Sequence, residues 1–552
     1  MVLAAGARGG HLVVRSWGTR SSDRTADTLW GGRRRLLPEP RRPGSPPKNA
    51  MPHRKEQKQG SEPMNAGAPV RFFNSLGRKM TDFPAVAGHV GLYSCGPTVY
   101  SVPHLGNLRA YVFSDTLRRL LEWKGCTVTQ VINITDVGHA VGDGDEGEDK
   151  VEVAARSEQR SVREITDRYT RIFFDDLAAL NVRPASHYPR ASSYVPQMVE
   201  FAEVLEAGGY TYMLPSGLYF DTSKSPGYGR LAMMPQTGQM EGGRVSAEGK
   251  RSAADFAIWR SDPPQQRRIM RWDSPWGPGV PGWHLECSVM SMALLGRHFG
   301  IHTGGVDHRE LHHVNEIAQS EAYLADGLDW VPLWMHNEFL LLGGAKISKS
   351  AGRMPTLQDL TGAGHPAVAF RYFLLMAHYR SQQDLTDEGL SGASAALRRL
   401  LARVEPLRPL PVVRNYGDAH AQLGAEGRVA LDRFDAAVSD DLGTPRALAE
   451  FQRALRAPDL SDRDKAVLAA AADQALGLDL AGLTAGGLQA AAVMPSVPAE
   501  RIEELVAARE AARQGRDWAS ADQVRAELAD LGVQVTDTQD GPRWSLAAAK
   551  ER

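Results

Sequence analysis

Cysteine is scarce in this sequence, with only Cys95, Cys126 and Cys287 among 552 residues. These three residues are far apart along the chain and do not form the pattern of a disulfide framework, so a reducing compartment, the cytoplasm, is expected. Long apolar runs are lacking as well, because nowhere do about 20 apolar residues follow one another. We therefore expect no membrane-spanning segment and no membrane partner.

The net charge is also close to zero, at −1, but the charged residues are distributed unevenly along the chain. Residues 1–65 contain 13 Lys and Arg against 5 Asp and Glu, so the rest of the chain is acidic. This basic leader is rich in Pro, Gly and Arg and has few apolar residues, a composition that predicts disorder. Two interpretations stay open: an organelle transit peptide, or sequence upstream of a start at Met51 or Met64.

What the sequence does contain is the alternation of an α/β protein. Residues 108–124 carry apolar side chains at helical spacing, and residues 126–135 are rich in β-branched residues, as in a buried strand. A strand, a Gly-containing turn, a helix and a further strand predict a βαβ unit and therefore a parallel sheet. Long helices are expected near 160–180 and 194–207. Short strands and turns at 209–275 are typical of an insertion into that domain.

From about residue 390 the pattern becomes nearly all helical. The last segment predicts two helices with Gly515 between them, and its arginines fall largely off the apolar face. These are Arg509, Arg513, Arg516 and Arg525. The pattern allows two interpretations, a solvated basic face or a surface for nucleic-acid phosphates.

A set of potential metal ligands is scattered through the α/β region. His312 and Glu316 are four residues apart in a helical pattern and should share one helix face, whereas His313 should point elsewhere. Cys287 follows a Pro-Gly turn, and Cys95 ends a strand-like run in the other half of the sheet. Two thiolates, one imidazole and one carboxylate suit zinc. Such a His–Glu pair is common, however, and a cysteine can simply be a buried residue of the core. Spacing alone is therefore weak evidence for a metal site.

Two short motifs suggest nucleotide binding. "PHLGN" (103–107) places a His and a Gly just before a helix, where backbone N–H groups and an imidazole can meet phosphate oxygens. "GGAKISKSAG" (343–352) is a Gly-flanked loop whose lysines suit the charge that develops when pyrophosphate leaves a triphosphate. Either motif alone often occurs by chance. The two together and in this order are a specific indication of nucleotide binding.

"HLGN" and "KISKS" resemble the paired signatures of class I aminoacyl-tRNA synthetases. The stretches "YSCGPTVYSVPHLGN", "NITDVGH", "PGWHLECS", "HHVNEIAQSE" and "RDWASADQVRAELADLGVQVTDTQDGPRW" together resemble the cysteinyl-tRNA synthetase family, from about residue 68 to 548. The resemblance implies a Rossmann-type parallel-sheet catalytic domain split by a connective insertion, then a stem-contact fold and an all-α anticodon-binding region. The implied divisions are the leader (1–65), first catalytic half (66–195), insertion (196–275), second catalytic half (276–335), stem-contact fold with the KISKS loop (336–388), helical tRNA-binding bundle (389–490) and anticodon-binding subdomain (491–552).

The resemblance also implies an activity, its partners and its site residues. Members of the family activate L-cysteine with ATP and Mg²⁺ to cysteinyl-adenylate and transfer it to tRNA(Cys), and one zinc ion takes the substrate thiolate. A monomer in the cytoplasm is expected. The residues that match the family positions are Cys95, Cys287, His312 and Glu316 for zinc; Trp283 and His302 beside the zinc; His104 and Asn107 for the phosphates; Asp307 near the adenosine; and Lys346 and Lys349 for the transition state.

Several positions depart from the family pattern. Asn107 stands where the fuller first signature has His, and Ile347 stands where the second has Met. His308, Arg309 and Glu310 replace apolar residues near the metal positions, which affects the expected adenosine contacts. Cys126 matches no ligand position and is expected in the core.

Three alternative functions compete with this interpretation. A relative on the same scaffold ligates cysteine to an amino-sugar, but residues 390–548 supply a helical region that such relatives lack. A paralogue could charge tRNA for a biosynthetic pathway, which the sequence does not exclude. A degenerate synthetase could act only as a tRNA-binding or amino-acid-sensing module, although the intact His104, Lys346, Lys349 and zinc positions favour an enzyme.

Overall fold

The computed structural model describes residues 67–83, 88–139, 148–233, 249–262, 268–346, 354–491, 499–515, 517–530, 533–538 and 541–546. The chain divides into two units, 1–61 and 62–552, and every described residue belongs to the second. The basic leader predicted to be disordered therefore lies outside the described residues. Among the helices of the described ranges, none combines the length and the apolar character required to cross a bilayer.

The strands and helices follow one another in the alternation that the sequence predicts. The strands are β1 (Val70–Asn74), β2 (Lys79–Phe83), β3 (His89–Ser94), β4 (Thr127–Ile132), β5 (Thr211–Leu214), β6 (Gly217–Phe220), β7 (Phe256–Ser261), β8 (Gly279–Pro281), β9 (Ile301–Gly305), β10 (Leu333–Asn337), β11 (Leu340–Leu342), β12 (Ala345–Lys346), β13 (Gln383–Leu385), β14 (Val533–Thr538) and β15 (Gly541–Leu546). The helices are α1 (Leu105–Trp123), α2 (Lys150–Ser157), α3 (Val162–Ala179), α4 (Val195–Ala207), α5 (Trp283–Leu295), α6 (Val306–Leu311), α7 (His313–Leu324), α8 (Leu357–Gly362), α9 (Ala367–Leu375), α10 (Asp387–Val404), α11 (Tyr416–Gln422), α12 (Ala425–Ser439), α13 (Thr444–Arg456), α14 (Asp462–Leu476), α15 (Ala485–Ala491), α16 (Ala499–Gln514) and α17 (Trp518–Asp530). The predicted strand at 126–135 and the predicted helices near 108–124, 160–180 and 194–207 are confirmed.

The α/β region is built on a four-stranded parallel sheet with the strand order β10-β9-β3-β4. Successive side chains of a strand point to opposite faces, and both faces of this sheet are covered. Leu92 and Ile132 pack in the same apolar core as α1, whereas Tyr93 and Val131 pack in a second core with α5 and α7. Strands buried on both faces explain the continuous apolar runs in the sequence. The predicted α/β class with a Rossmann-type parallel sheet is confirmed.

The segment between the two halves of this sheet forms a sheet of its own. Strands β5, β6, β7 and β8 pair in that order, all antiparallel. Because β8 (Gly279–Pro281) pairs with β7, the antiparallel sheet continues past residue 275, where the sequence analysis ended the insertion. The sequence analysis did not predict β8, since a three-residue strand next to a Pro-Gly turn has no periodicity of its own.

The helix that begins at the HLGN motif, α1, is fixed to the C-terminal helices by buried charges. The Asp115 carboxylate accepts hydrogen bonds from Arg119 Nε at 2.7 Å and from Arg371 Nη2 at 2.6 Å. Arg371 lies on α9, is fully buried, and also donates to the carbonyl oxygen of Leu476 at the end of α14. Asp115 therefore connects α1 to the helical region that follows the sheet.

The C-terminal segment contains the predicted pair of helices, α16 and α17, and a hairpin of β14 and β15 that the sequence analysis did not predict. The alternation in "VQVTDT" was the available signal for this hairpin. Leu505, Val506 and Leu528 form the small core of the segment. The placement of Arg509 was wrong: it is only 7% exposed, because it follows Leu505 by one helical turn and shares its face.

Candidate active site and metal centre

The site lies at the carboxyl ends of the parallel strands, where open α/β sheets bind their ligands. Cys95 directly follows β3, and its backbone N–H donates to the carbonyl oxygen of Thr303 on β9 at 3.2 Å. Gly96 comes next and must be glycine, because a Cβ there would lie 1.5 Å from the carbonyl oxygen of Asn133. This close approach fixes the chain where it leaves the sheet, and with it the position of the Cys95 side chain.

The structure brings the four sequence-predicted metal ligands together. One ligand atom from each of Cys95, Cys287, His312 and Glu316 lies within 4.8 Å of the other three. His312 Nε2 is 3.4 Å from Cys287 Sγ and 3.0 Å from Glu316 Oε1, and Cys95 Sγ is 3.9 Å from the same oxygen. All four residues are buried. Two sulfur atoms, one nitrogen and one oxygen at these separations fit a tetrahedral zinc ion.

The electrostatics of the cluster favour charged ligands. Burial opposes ionisation of Cys287, but hydrogen bonds with Cys95 and His312 outweigh it and lower the Cys287 pKa to about 6. Burial also opposes ionisation of Glu316, yet the charges of His302 and His312 hold the Glu316 pKa at about 2. Burial lowers the His312 pKa, but Glu316 and Cys287 raise it more, to about 10. The cluster thus contains a carboxylate and a thiolate, the ionised forms in which these groups bind metals, whereas His312 is protonated and would release a proton on binding one.

A second group of potential ligands shares two members with the first. Cys95, His302, His313 and Glu316 also place one ligand atom each within 4.8 Å of one another. Cys95 Sγ is 3.2 Å from His313 Nε2, and His302 Nε2 is 3.1 Å from Glu316 Oε2. The expectation that His313 points elsewhere was wrong. The chain breaks between α6 and α7 at His312, so His313 begins α7 three residues before Glu316, a spacing that also shares a helix face.

Trp283 forms one wall of the site. Its ring stacks on His139 with the centroids 4.2 Å apart and lies 4.2 Å from the His312 ring at a tilt of 39°. The Trp283 side chain is half-buried and begins α5, the helix that also carries Cys287. The sequence analysis did not identify His139, because no motif spacing connects it with the later half of the sheet.

The HLGN motif caps α1. His104 is the residue before the helix: its Nδ1 accepts the backbone N–H of Asn107 at 3.2 Å, and its own N–H donates to Asn107 Oδ1 at 3.3 Å. Asn107 can complete this reciprocal cap because its amide oxygen accepts the His104 N–H, which gives the substitution at this position a structural role. The helix N-terminus that follows is an electropositive site suited to phosphates.

The chain that follows the KISKS loop, at Pro355 and Thr356, contacts this cap. The backbone N–H of Leu105 donates to the carbonyl oxygen of Pro355 at 2.9 Å. The backbones of His104 and Thr356 form an isolated antiparallel β-bridge. Lys346 ends β12, which pairs with β11. Lys349 lies outside the described residues. The chain beyond the loop is therefore hydrogen-bonded to the first signature.

Residues 308–310, which depart from the family pattern, lie next to the cluster of candidate metal ligands. Asp307 is exposed in the first turn of α6, directly after β9. The His308 ring lies 5.6 Å from the His312 ring and stacks on His313 at 5.5 Å, centroid to centroid. Within the described residues, His308 Nδ1 is buried and has no hydrogen-bond partner, and burial lowers the pKa of His308. These replacements therefore add an imidazole to the wall of the site and leave the four ligand positions intact.

Comparison with known proteins shows similarity along most of the chain. Residues 82–395 match the family of class I (C) tRNA synthetase catalytic domains, and residues 495–544 match the cysteinyl-tRNA ligase anticodon-binding domain. The chain is 48% identical to the cysteine--tRNA ligase of Novosphingobium aromaticivorans over 88% of this chain and 99% of that protein. It is 41% identical to the Thermus thermophilus cysteine--tRNA ligase over 86% and 99%. A solved methionyl-tRNA synthetase of Mycobacterium tuberculosis in complex with methionyl-adenylate is 15% identical, with a TM-score of 0.47 over 73% of this chain and 93% of that one.

Proposed function

Because the chain belongs to the cysteine--tRNA ligase family, we propose that it activates L-cysteine with ATP to cysteinyl-adenylate and transfers the cysteinyl group to the 3′ end of tRNA(Cys). We further propose that one zinc ion per chain selects the substrate through its thiol. The observation that carries this proposal is the buried cluster of Cys95, Cys287, His312 and Glu316, whose ligand atoms lie within 4.8 Å of one another. A monomeric state, a cytoplasmic location and the domain boundaries stay predictions.

The donor set supports zinc as the metal. Thiolates select zinc over the harder cations, and Cys287 already favours its thiolate form, with a pKa near 6. When bound, zinc would hold the thiol of the substrate as a thiolate, whereas the hydroxyl of serine would stay protonated and bind more weakly. Trp283 would close one side of the amino-acid pocket, and His302, hydrogen-bonded to Glu316 and stacked on Trp334 at 4.4 Å, would hold that carboxylate in place.

The nucleotide residues act by positioning and by charge. The carboxylate of cysteine attacks the α-phosphate of ATP, pyrophosphate leaves, and the 3′-terminal ribose hydroxyl of tRNA then attacks the acyl carbon and releases AMP. His104 and Asn107 would hold the phosphates at the N-terminus of α1, and Asp307 would lie near the adenosine. Lys346 and Lys349 would stabilise the charge of the departing pyrophosphate together with Mg²⁺. Catalysis of this kind needs little proton transfer.

The test of the proposal measures cysteine-dependent ATP–pyrophosphate exchange and tRNA charging by the purified full chain. We expect cysteine to be preferred over serine by ~10⁴-fold or more, as in sites that recognise a substrate group by a specific bond. After zinc is stripped from protein that stays folded by circular dichroism, the preference should fall to the ~10²-fold that a pocket alone provides. Unchanged discrimination without zinc would refute the metal's role.

The C-terminal segment should matter for tRNA and not for adenylation. Helices α16 and α17 pack together around a small core that contains Leu505 and Leu528. Deletion of residues 495–552 should lower kcat/KM for tRNA charging by ~100-fold or more, as expected when several phosphate contacts are lost. The rate of ATP–pyrophosphate exchange should change less than twofold. Equal losses in both assays would show that the segment only supports the fold.

A further inference from the structure

A buried lysine, Lys150, makes a hydrogen bond with the imidazole that supports the Trp283 wall of the site. Lys150 Nζ is 2.8 Å from His139 Nε2, and the other ring nitrogen, Nδ1, is 2.6 Å from Thr98 Oγ1. The His139 ring stacks on Trp283 with the two ring planes 12° apart. These residues come from four parts of the fold: the chain after β3, the chain after β4, and the first residues of α2 and α5. The sequence analysis assigned no role to Lys150 or Thr98.

The lysine determines which ring nitrogen of His139 carries the proton. An ammonium group only donates hydrogen bonds, so His139 Nε2 accepts from Lys150. The proton of the neutral imidazole is then on Nδ1, which donates to Thr98 Oγ1. Rotation of an imidazole about its Cβ–Cγ bond has broad preferences, and hydrogen bonds at both nitrogens restrict it. Lys150 therefore determines the tautomer and helps to fix the orientation of the ring on which Trp283 stacks.

The backbone around His139 is fixed at the same place. The Lys150 N–H donates to the carbonyl oxygen of His139 at 2.9 Å, and the Gly138 N–H donates to Asp149 Oδ2 at 2.7 Å. Gly138 has a φ of +83°, and a Cβ there would lie 2.9 Å from the carbonyl oxygen of Pro281. Pro281 ends β8, just before α5 begins. The start of α2 is therefore attached to a turn that lies directly beside the start of α5.

The burial of Lys150 makes these contacts necessary. Lys150 and His139 are each 7% exposed. An ammonium group that is removed from water raises the free energy of the folded state unless it has a partner. Besides His139, the ring of Tyr100 provides such a contact, with Lys150 Nζ 5.7 Å from the ring centroid. Departures of this kind from an apolar core are expected at functional sites.

We propose that Lys150 is a positioning residue of the amino-acid pocket, where it orients His139 and, through the His139 ring, the indole of Trp283. Binding of the amino acid then depends on the charged group that begins α2. The inference rests on the proposed function in one respect, that Trp283 closes one side of the cysteine pocket. A wall whose stacking partner is fixed loses little conformational freedom when the substrate binds, so the pocket is preorganised.

The test uses Lys150→Met in the full-length protein, because methionine keeps an unbranched apolar side chain and removes the charged donor. KM for cysteine in ATP–pyrophosphate exchange should rise ~10-fold, about what a hydrogen bond from a charged donor contributes. KM for ATP, kcat and the zinc content should change less than twofold, because the substitution leaves the metal ligands and the nucleotide motifs intact. The matched control is Arg156→Met on the same helix, where Arg156 pairs with Glu148 at the surface. Equal KM values for cysteine in the two variants would overturn the proposal.

A double-mutant cycle tests whether Lys150 acts through His139. In a His139→Ala background, Lys150→Met should raise KM for cysteine no further, because the acceptor and the stacking ring are already absent. A further rise of the same size would contradict the proposal, since Lys150 would then act directly on the substrate or on the fold. Wild-type protein without cysteine-dependent exchange would refute the proposed function and this inference together. Wild-type exchange with an unaffected Lys150→Met variant would refute this inference alone.

Discussion

Replacement of Cys287 by serine is expected to remove zinc from the protein and to reduce kcat/KM for cysteine in ATP–pyrophosphate exchange at least ~1,000-fold. The reason is that a ligand itself is lost, which should cost more than the ~10–100-fold effect of losing a group that orients a ligand. The Cys287 thiol is 2% exposed, and its pKa of about 6 makes it the thiolate of the cluster. A serine hydroxyl in its place would stay protonated and would be a poor ligand.

The control for this prediction is Cys126→Ser. Cys126 is also buried, but it lies between α1 and β4, and burial raises its pKa. This variant should retain one zinc per chain and its exchange activity. Metal content is measured by elemental analysis of gel-filtered protein. Stoichiometric zinc with normal activity in Cys287→Ser would contradict the ligand assignment, whereas zinc loss in both variants would indicate a general loss of folding.

Replacement of Asp115 by alanine is expected to destabilise the protein by about 3–5 kcal/mol, the cost of removing one partner from a buried ion pair. Asp115 is 1% exposed and lies between Arg119 and Arg371, and Arg371 has no exposed surface. Without the carboxylate, two guanidinium groups remain in the interior. Burial lowers the Arg371 pKa to about 10 even though Asp115 opposes that shift, which shows how costly the buried charge is. The free energy of urea-induced unfolding, followed by circular dichroism, measures this loss.

The comparison variant is Asp440→Ala, which removes an ion pair with Arg446 at the surface and should cost less than about 1 kcal/mol. The loss in Asp115→Ala should also depend on pH. Burial opposes ionisation of Asp115, but Arg371 and Arg119 outweigh it and lower the folded-state pKa. Its contribution is therefore fully present above the unfolded pKa of about 3.9 and is lost as pH falls through the lower folded value. An equal cost for both variants at pH 7 would contradict the buried-pair argument.

The fold of the catalytic region followed from periodicity, and the exceptions are short or irregular elements. The apolar spacing in α1 and the β-branched run in β4 predicted their type and approximate ends. The three-residue strand β8 was missed because a strand that short has no period and its pairing depends on a partner elsewhere in the chain, whereas the β14–β15 hairpin was missed although the first of its six-residue strands alternates. Arg509 was misplaced for a related reason: in a small two-helix core, a basic side chain can lie on the buried face.

Residue types carried the predictions of chemistry. Two cysteines, a histidine and a glutamate at motif positions predicted a metal ligand set, and HLGN with KISKS predicted a nucleotide site, because motif identity and donor chemistry are local properties of the chain. Only the tertiary structure decided that His313 joins the cluster and that Lys150 reaches Trp283 through His139. Those contacts depend on the break between α6 and α7 and on how the chain after β4 lies between the starts of α2 and α5. The spacing of residues along the chain does not predict how distant elements pack against each other.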